Sequence, residues 1–277
     1  SLSSWFVWYC GVRTYTSSAE APIVAAALVA LTRRPAFASS AARWVPAAAL
    51  GALAVAVRPT ALLLLLPLAL CALCGGRHQS IDFRIGRNGT GAAGSGDRSV
   101  PPSRSDGAAA LAIAAATTLL VLFASAAVDR LCYGRWVLPA SSFLRFNLVS
   151  GGSAYYGTHP WHWYVSAGMP AALGTHTPLV ILGLVIAIRP EPGRQRLGEG
   201  WLRVAPALGA GFALAALSLS SHKELRFVYP LVHPLLLCYA GGALHSMTPR
   251  RRRSWWAFLV LTNLPAAAYL SWWHQRA

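Results

Sequence analysis

Eight apolar segments, several of them the length of a membrane span, dominate this chain: approximately 21–32, 44–57, 59–74, 108–128, 167–188, 204–220, 227–246 and 255–273. A compact soluble domain has a single interior and could not remove that much apolar surface from water. Charge is correspondingly scarce, at 12% of residues, against ~25% in soluble domains. Within a bilayer every backbone N–H and C=O must find its partner inside the segment, which a helix achieves and an open strand does not. The sequence therefore predicts an all-α, polytopic membrane protein, a multi-span helical bundle forming one transmembrane domain over residues 1–277. The first three segments fall short of the ~20 residues of a perpendicular helix, which predicts tilted, broken or re-entrant spans there. Cys71 and Cys74 end one of these spans as small apolar residues, not as a redox or zinc pair.

A net charge of +16 raises the question of a nucleic-acid partner. The distribution of that charge argues against one. Arginines gather in the connections between apolar segments, without the interleaved rings that a stacking platform needs. Membrane topology accounts for them better. Segment 75–107 carries five arginines in a Gly/Ser-rich stretch with Pro101-Pro102, a pattern that predicts a disordered basic loop. Arg189, Arg194, Arg196 and Arg203 mark a second connection, and Arg250–Arg253 a third. If each intervening segment crosses once, these three lie on the cytosolic face. The connection 129–166, the 221–226 loop, Arg58 and the N-terminal stretch through Glu20 then share the opposite face. Asn88-Gly89-Thr90 is a glycosylation sequon in a loop assigned to the cytosol, and is expected to be unused.

That opposite face collects the residues with chemistry. The chain's one lysine lies in Ser221-His222-Lys223-Glu224-Leu225-Arg226-Phe227, between two apolar runs. Ionisable groups at membrane depth are costly and usually mark function, here an anion site; the competing reading is a short solvated loop. A second cluster runs Tyr155-Tyr156-Gly157-Thr158-His159-Pro160-Trp161-His162-Trp163-Tyr164. It forms either an interfacial aromatic belt or a platform where rings stack on sugars and imidazoles hydrogen-bond hydroxyls or phosphate. Gly157 and Pro160 predict a shaped turn within it. Metal ligation by His159, His162, His176 and His222 is disfavoured, because no carboxylate accompanies the histidine pair. No Walker, dinucleotide or H-E-x-x-H motif is present.

His222-Lys223-Glu224-x-Arg226-Phe227, followed by Tyr229-Pro230, resembles the signature of glycosyltransferase family 22. Its members are multi-span mannosyltransferases of the endoplasmic reticulum, with the GT-C type of helical bundle, that use dolichyl-phosphate mannose. Tyr156 through Tyr164, continuing into Gly174-Thr175-His176-x-Pro178, is similar to the branch that builds the glycosylphosphatidylinositol (GPI) anchor. Arg13-Thr14-Tyr15-Thr16 and Arg58-Pro59-Thr60-Ala61 resemble further segments of that branch.

The resemblance implies an inverting α-1,2-mannosyl transfer in the lumen of the endoplasmic reticulum, from dolichyl-phosphate mannose to a GPI-anchor precursor. It firmly implies no cofactor beyond that donor and does not fix metal dependence; no metal ligands are assigned, and the arginine distribution argues against nucleic acid. His222, Lys223, Arg226 and Arg58 would bind the donor phosphate, with Glu224 orienting Lys223 and Arg226. Tyr156, His159, Trp161, His162, Trp163 and Tyr164 would hold the sugar or acceptor. The family carries an acidic pair in its first lumenal loop; that loop and the first span are expected upstream of Ser1. Two alternatives stay open: a transferase of the N-glycan precursor, and a membrane protein that binds or transports a polyprenyl phosphate without chemistry.

Overall fold

The computed structural model of the chain describes residues 3–11, 13, 15–32, 44–75, 104–137, 139–189 and 197–273. The basic loop expected over 75–107 lies almost entirely outside these residues, as does the sequon at Asn88. Arg104 is already helical.

Helices occupy all eight apolar segments, and no strand occurs among the described residues. In chain order they are α1 (Trp5–Gly11), α2 (Thr16–Thr32), α3 (Trp44–Val57), α4 (Ala61–Gly75), α5 (Arg104–Tyr133) and α6 (Pro139–Leu144). After an irregular stretch come α7 (Met169–Leu173), α8 (Thr177–Ile188), α9 (Leu197–Ser218), α10 (Tyr229–Leu235), α11 (Gly241–Ser246) and α12 (Pro249–Ala268). Leu111–Tyr133, Tyr164–Ile188 and Leu225–Ser246 are each long and apolar enough to cross a membrane. The predicted irregularity of the early spans is present: α1 and α2 meet at 118°, and Trp44–Val57 and Ala61–Cys71 are short apolar helices. Helix α1 itself was not foreseen. Its seven residues bury Phe6 and Cys10 against the bundle.

Small residues and inserted polar groups set the helix packing. At Gly183 of α8 a Cβ would stand 2.0 Å from the carbonyl oxygen of Tyr239, so the two backbones touch because no side chain intervenes. Tyr239 belongs to a π-helical turn, Leu236–Ala240, that joins α10 to α11. Its hydroxyl accepts from the Ala207 N–H at 3.0 Å and donates to the Arg203 carbonyl at 3.1 Å. Those two groups are four residues apart on α9, beside Pro206, where proline disturbs the backbone ladder. On α12 the buried Asn263 accepts from the Trp5 N–H at 3.2 Å and donates to Thr175 Oγ1 at 2.7 Å. One amide thereby fastens α1 and the Gly174–His176 turn to α12.

Helix α5 presents Leu119, Leu120, Phe123 and Leu131 outward, as a lipid-facing span does. The centre of the bundle is built by α2, α4, α8, α9 and α10, with Val24, Leu64, Leu179, Ala213 and Val232 buried. The Leu225–Ser246 span runs through that centre, and the charged motif sits at its first turn.

Candidate functional site

The loop 219–224 leaves α9 with Ser220 and Ser221 and re-enters the bundle through a 3-10 turn, Leu225–Val228. The aromatic loop leaves a 3-10 turn at Gly152–Tyr156 and enters the membrane span at a π-helical turn, Tyr164–Gly168. Sixty or so residues separate the two in sequence, yet they are joined backbone to backbone: the His159 N–H donates to the Ser221 carbonyl at 3.0 Å. Gly157 supplies the turn. Its φ of +99° lies in the left-handed half of backbone space that glycine tolerates, and its carbonyl accepts from His222 Nδ1 at 3.1 Å.

Lys223 is buried, at 3% exposure. Its ammonium donates to the Ser220 carbonyl at 2.5 Å and the His159 carbonyl at 3.2 Å, again linking the two loops. An ammonium has three protons, so one is left for a further acceptor. Burial pulls the Lys223 pKa below the ordinary lysine value. Glu224 was expected to orient Lys223 and Arg226. It holds Arg226 but not Lys223: both of its oxygens meet the Arg226 guanidinium, and Oε1 also meets His222 Nε2 at 2.7 Å. The reason is local. With Lys223 turned inward to carbonyls, the carboxylate one residue later lies on the side of His222 and Arg226. Burial alone would push the Glu224 carboxyl up, but the hydrogen bonds from His222 and Arg226 outweigh it and hold it below the ordinary range. Both ring nitrogens of His222 face oxygen acceptors, so both contacts are hydrogen bonds when the ring carries two protons.

Arg58 joins the same cluster from the α3–α4 connection. Its guanidinium carbon lies 4.8 Å from the Phe227 ring centroid, and Arg226 stands 5.8 Å from the same centroid. Glu20 of α2 is its counter-ion at 3.7 Å, with both side chains largely buried. Burial lowers the Arg58 pKa, and Glu20 opposes that shift. The sequence puts Arg58 and Glu20 on one face but does not pair them, because nothing in the spacing connects α2 to the α3–α4 connection.

Sequence reasoning missed the aromatic scaffold at the N-terminal side. Arg226 lies 5.0 Å from the Tyr15 ring centroid. Arg13 lies 5.8 Å from that same ring and 4.2 Å from Tyr9, and donates to the Tyr15 hydroxyl at 3.2 Å. Arg13, Arg58 and Arg226 are thus threaded between Tyr9, Tyr15 and Phe227. Guanidinium groups stack on rings in this way while keeping their in-plane N–H groups free for oxygen ligands.

The expected sugar platform divides. Tyr156 and Trp161 are strongly exposed, and His162 is exposed with its ring against Ser166 Oγ at 3.1 Å. His159 stacks on the half-buried Trp163 at 4.7 Å. Tyr164 meets Trp163 edge to face, with ring centroids 5.3 Å apart, but lies beneath the platform. It is 0% exposed and packs into the core, because the π-helical turn starting at this residue already belongs to the buried span. His176 is buried, with its Nε2 2.8 Å from Ser3 Oγ. Among the described residues no three His, Cys, Asp or Glu side chains gather as metal ligands do.

The profile of the Alg9-like mannosyltransferase family matches residues 1–277. The chain is similar to GPI alpha-1,2-mannosyltransferase 3 of Homo sapiens, at 32% identity over 99% of this chain and 42% of that protein. Similarity to the Mus musculus protein of the same name is 33% over 99% of this chain and 43% of the relative. Mannosyltransferase APTG1 of Arabidopsis thaliana is 36% identical over 57% of this chain and 30% of its own length. The chain therefore spans about two-fifths of the length of the human and mouse relatives. No solved structure matches it.

Proposed function

Since the chain belongs to the Alg9-like mannosyltransferase family, we propose that it carries the donor-phosphate and sugar-binding part of an α-1,2-mannosyltransferase of GPI-anchor synthesis. The carrying observation is the joining of the 222–227 motif to the 155–163 loop through Lys223, His222 and the His159 backbone. Cations and sugar-stacking rings then share one mouth, as a lipid-phosphate sugar donor requires. In this reading the acceptor hydroxyl oxygen attacks C1 of the mannose from the face opposite the phosphate. The C1–O bond to phosphate breaks, the anomeric centre inverts, and dolichyl phosphate departs with the bonding pair. Negative charge grows on the leaving phosphate, and fixed cations act there, each such contact supplying about 2.7–4 kcal/mol. Arg226, held bidentately by Glu224 and stacked on Tyr15, and Arg58, stacked on Phe227, face that charge. The proton of the attacking hydroxyl needs a carboxylate other than Glu20 and Glu224, since both are engaged with cations. The reaction is assigned to the lumenal side of the endoplasmic reticulum.

The test supplies membranes containing the intact protein with dolichyl-phosphate mannose and either a GPI intermediate bearing two mannoses or a lipid-linked oligosaccharide. Addition of one mannose to the GPI intermediate is expected. Transfer to the oligosaccharide instead would overturn the reading. So would cleavage of residues 221–226 by protease from the cytosolic side of sealed microsomes.

A further inference from the structure

Two of the three clustered arginines have their own carboxylate: Arg58 has Glu20, and Arg226 has Glu224. Arg13 has none among the described residues. Its guanidinium contacts the Tyr9 and Tyr15 side chains, and among the described residues its Nη2 atom is buried without a hydrogen-bond partner. A guanidinium N–H removed from water and left without an acceptor is unfavourable, and a ligand oxygen would satisfy it. Tyr15 fixes where that oxygen would sit, because Arg13 and Arg226 are both held against its ring.

Charge narrows the ligand. Ring contacts and ion pairs unite three cations, Arg13, Arg58 and Arg226, with two carboxylates, Glu20 and Glu224, among the described residues, and Lys223 of the same 222–227 motif adds a fourth cation that bonds only to carbonyls. At least two positive charges are left uncompensated, before any contribution from His222. A sugar phosphodiester carries one negative charge. A phosphate monoester carries ~1.5–2 near neutral pH. We infer that Arg13 is a further phosphate-holding cation of this site, and that the pocket it completes with Arg58 and Arg226 favours a polyprenyl phosphate monoester over the sugar phosphodiester. The inference rests on the mannosyl-transfer reading for its substrate class. Its consequence is that the released lipid phosphate binds more tightly than the donor, and product departure limits turnover. That is the expected cost of a pocket complementary to the charge that develops as the C1–O bond breaks.

The experiment uses the intact protein in reconstituted vesicles, with dolichyl monophosphate as the probe. In the wild type, monophosphate inhibits transfer at concentrations below the donor KM. Arg13→Ala weakens that inhibition by about 10²-fold, raises the donor KM by a smaller factor, and leaves the acceptor KM unchanged. Arg13→Lys recovers part of the inhibition. Unaltered monophosphate inhibition in Arg13→Ala, or a change confined to the acceptor KM, overturns the inference. If Arg13→Ala fails to accumulate, Tyr15→Phe removes the hydroxyl that aims the guanidinium and keeps the ring; it must weaken monophosphate inhibition in the same direction, and no effect counts against the inference. Direct binding of dolichyl monophosphate, followed by tryptophan fluorescence, separates the two readings. Binding that depends on Arg13 in a protein without transferase activity upholds this site and defeats the proposed function; binding that ignores Arg13 in an active enzyme does the reverse.

Discussion

The ammonium of Lys223 donates to the backbone carbonyl of His159, 3.2 Å away, and so closes the motif loop onto the aromatic loop. A buried charge with two carbonyl partners acts on both stability and geometry. Lys223→Met keeps the apolar stem and removes the charge, leaving two carbonyls short of a donor. Each hydrogen bond from a charged group is worth about 1.5–3 kcal/mol. The expected result is a lower Tm in detergent together with loss of mannosyl transfer, and Lys223→Arg fails to restore either because the guanidinium does not fit a fully enclosed ammonium site. Should Lys223→Met keep its Tm and lose only the affinity for dolichyl monophosphate, then the residue is a phosphate ligand first, as the sequence suggested, and not a clasp.

Glu224 makes a prediction with a definite sign. Its carboxyl lies below the ordinary value of 4.5 in the folded protein, held there by His222 and Arg226 against the opposing effect of burial. A group with a depressed folded pKa contributes stability above its unfolded value and loses it as pH falls through the folded one. Stability of the solubilised protein should therefore decline on acidification below about pH 4.5, and Glu224→Gln should flatten that decline while lowering Tm at neutral pH. A melting profile whose acid limb is identical in Glu224→Gln and wild type would show that this carboxylate is not what holds Arg226 and His222 in place.

Much of this is legible in the sequence. Hydropathy located the three described helices that are long and apolar enough to cross a membrane, since span length and apolar content are local properties of the sequence. Charge asymmetry put the 155–164 and 221–226 segments on one face, and the His159–Ser221 backbone bond joins them. Other features depend on where helices lie relative to one another. Glu20 lies on α2 and Arg58 in the α3–α4 connection, and no spacing rule pairs them. Tyr164 looks like one more ring in an aromatic run; the change of backbone at the π-helical turn turns it into the core. Arg13 was part of a recognisable segment, but its stacking between Tyr9 and Tyr15 needs the bend between α1 and α2.

The last prediction concerns the frame that keeps the two loops in register. Helix α8 continues the span that begins beside the aromatic loop, and Tyr239 lies in the span that begins with the charged motif. These spans meet at Gly183, where an added Cβ would lie 2.0 Å from the Tyr239 carbonyl oxygen and 2.7 Å from its Cα. Backbone atoms cannot swing aside as a flexible side chain does, so the helices must separate. Gly183→Ala is expected to cost about 1–3 kcal/mol, the usual range for overpacking, and to reduce transfer as the loops lose alignment. Gly211 on α9 is the internal control: a Cβ there meets nothing within 4 Å. Gly211→Ala should be neutral, or stabilise by up to about 1 kcal/mol through helix propensity. Thermal melts of the two variants in the same detergent decide the matter, since equal Tm values would mean that the close approach at Gly183 does not set the spacing of these spans.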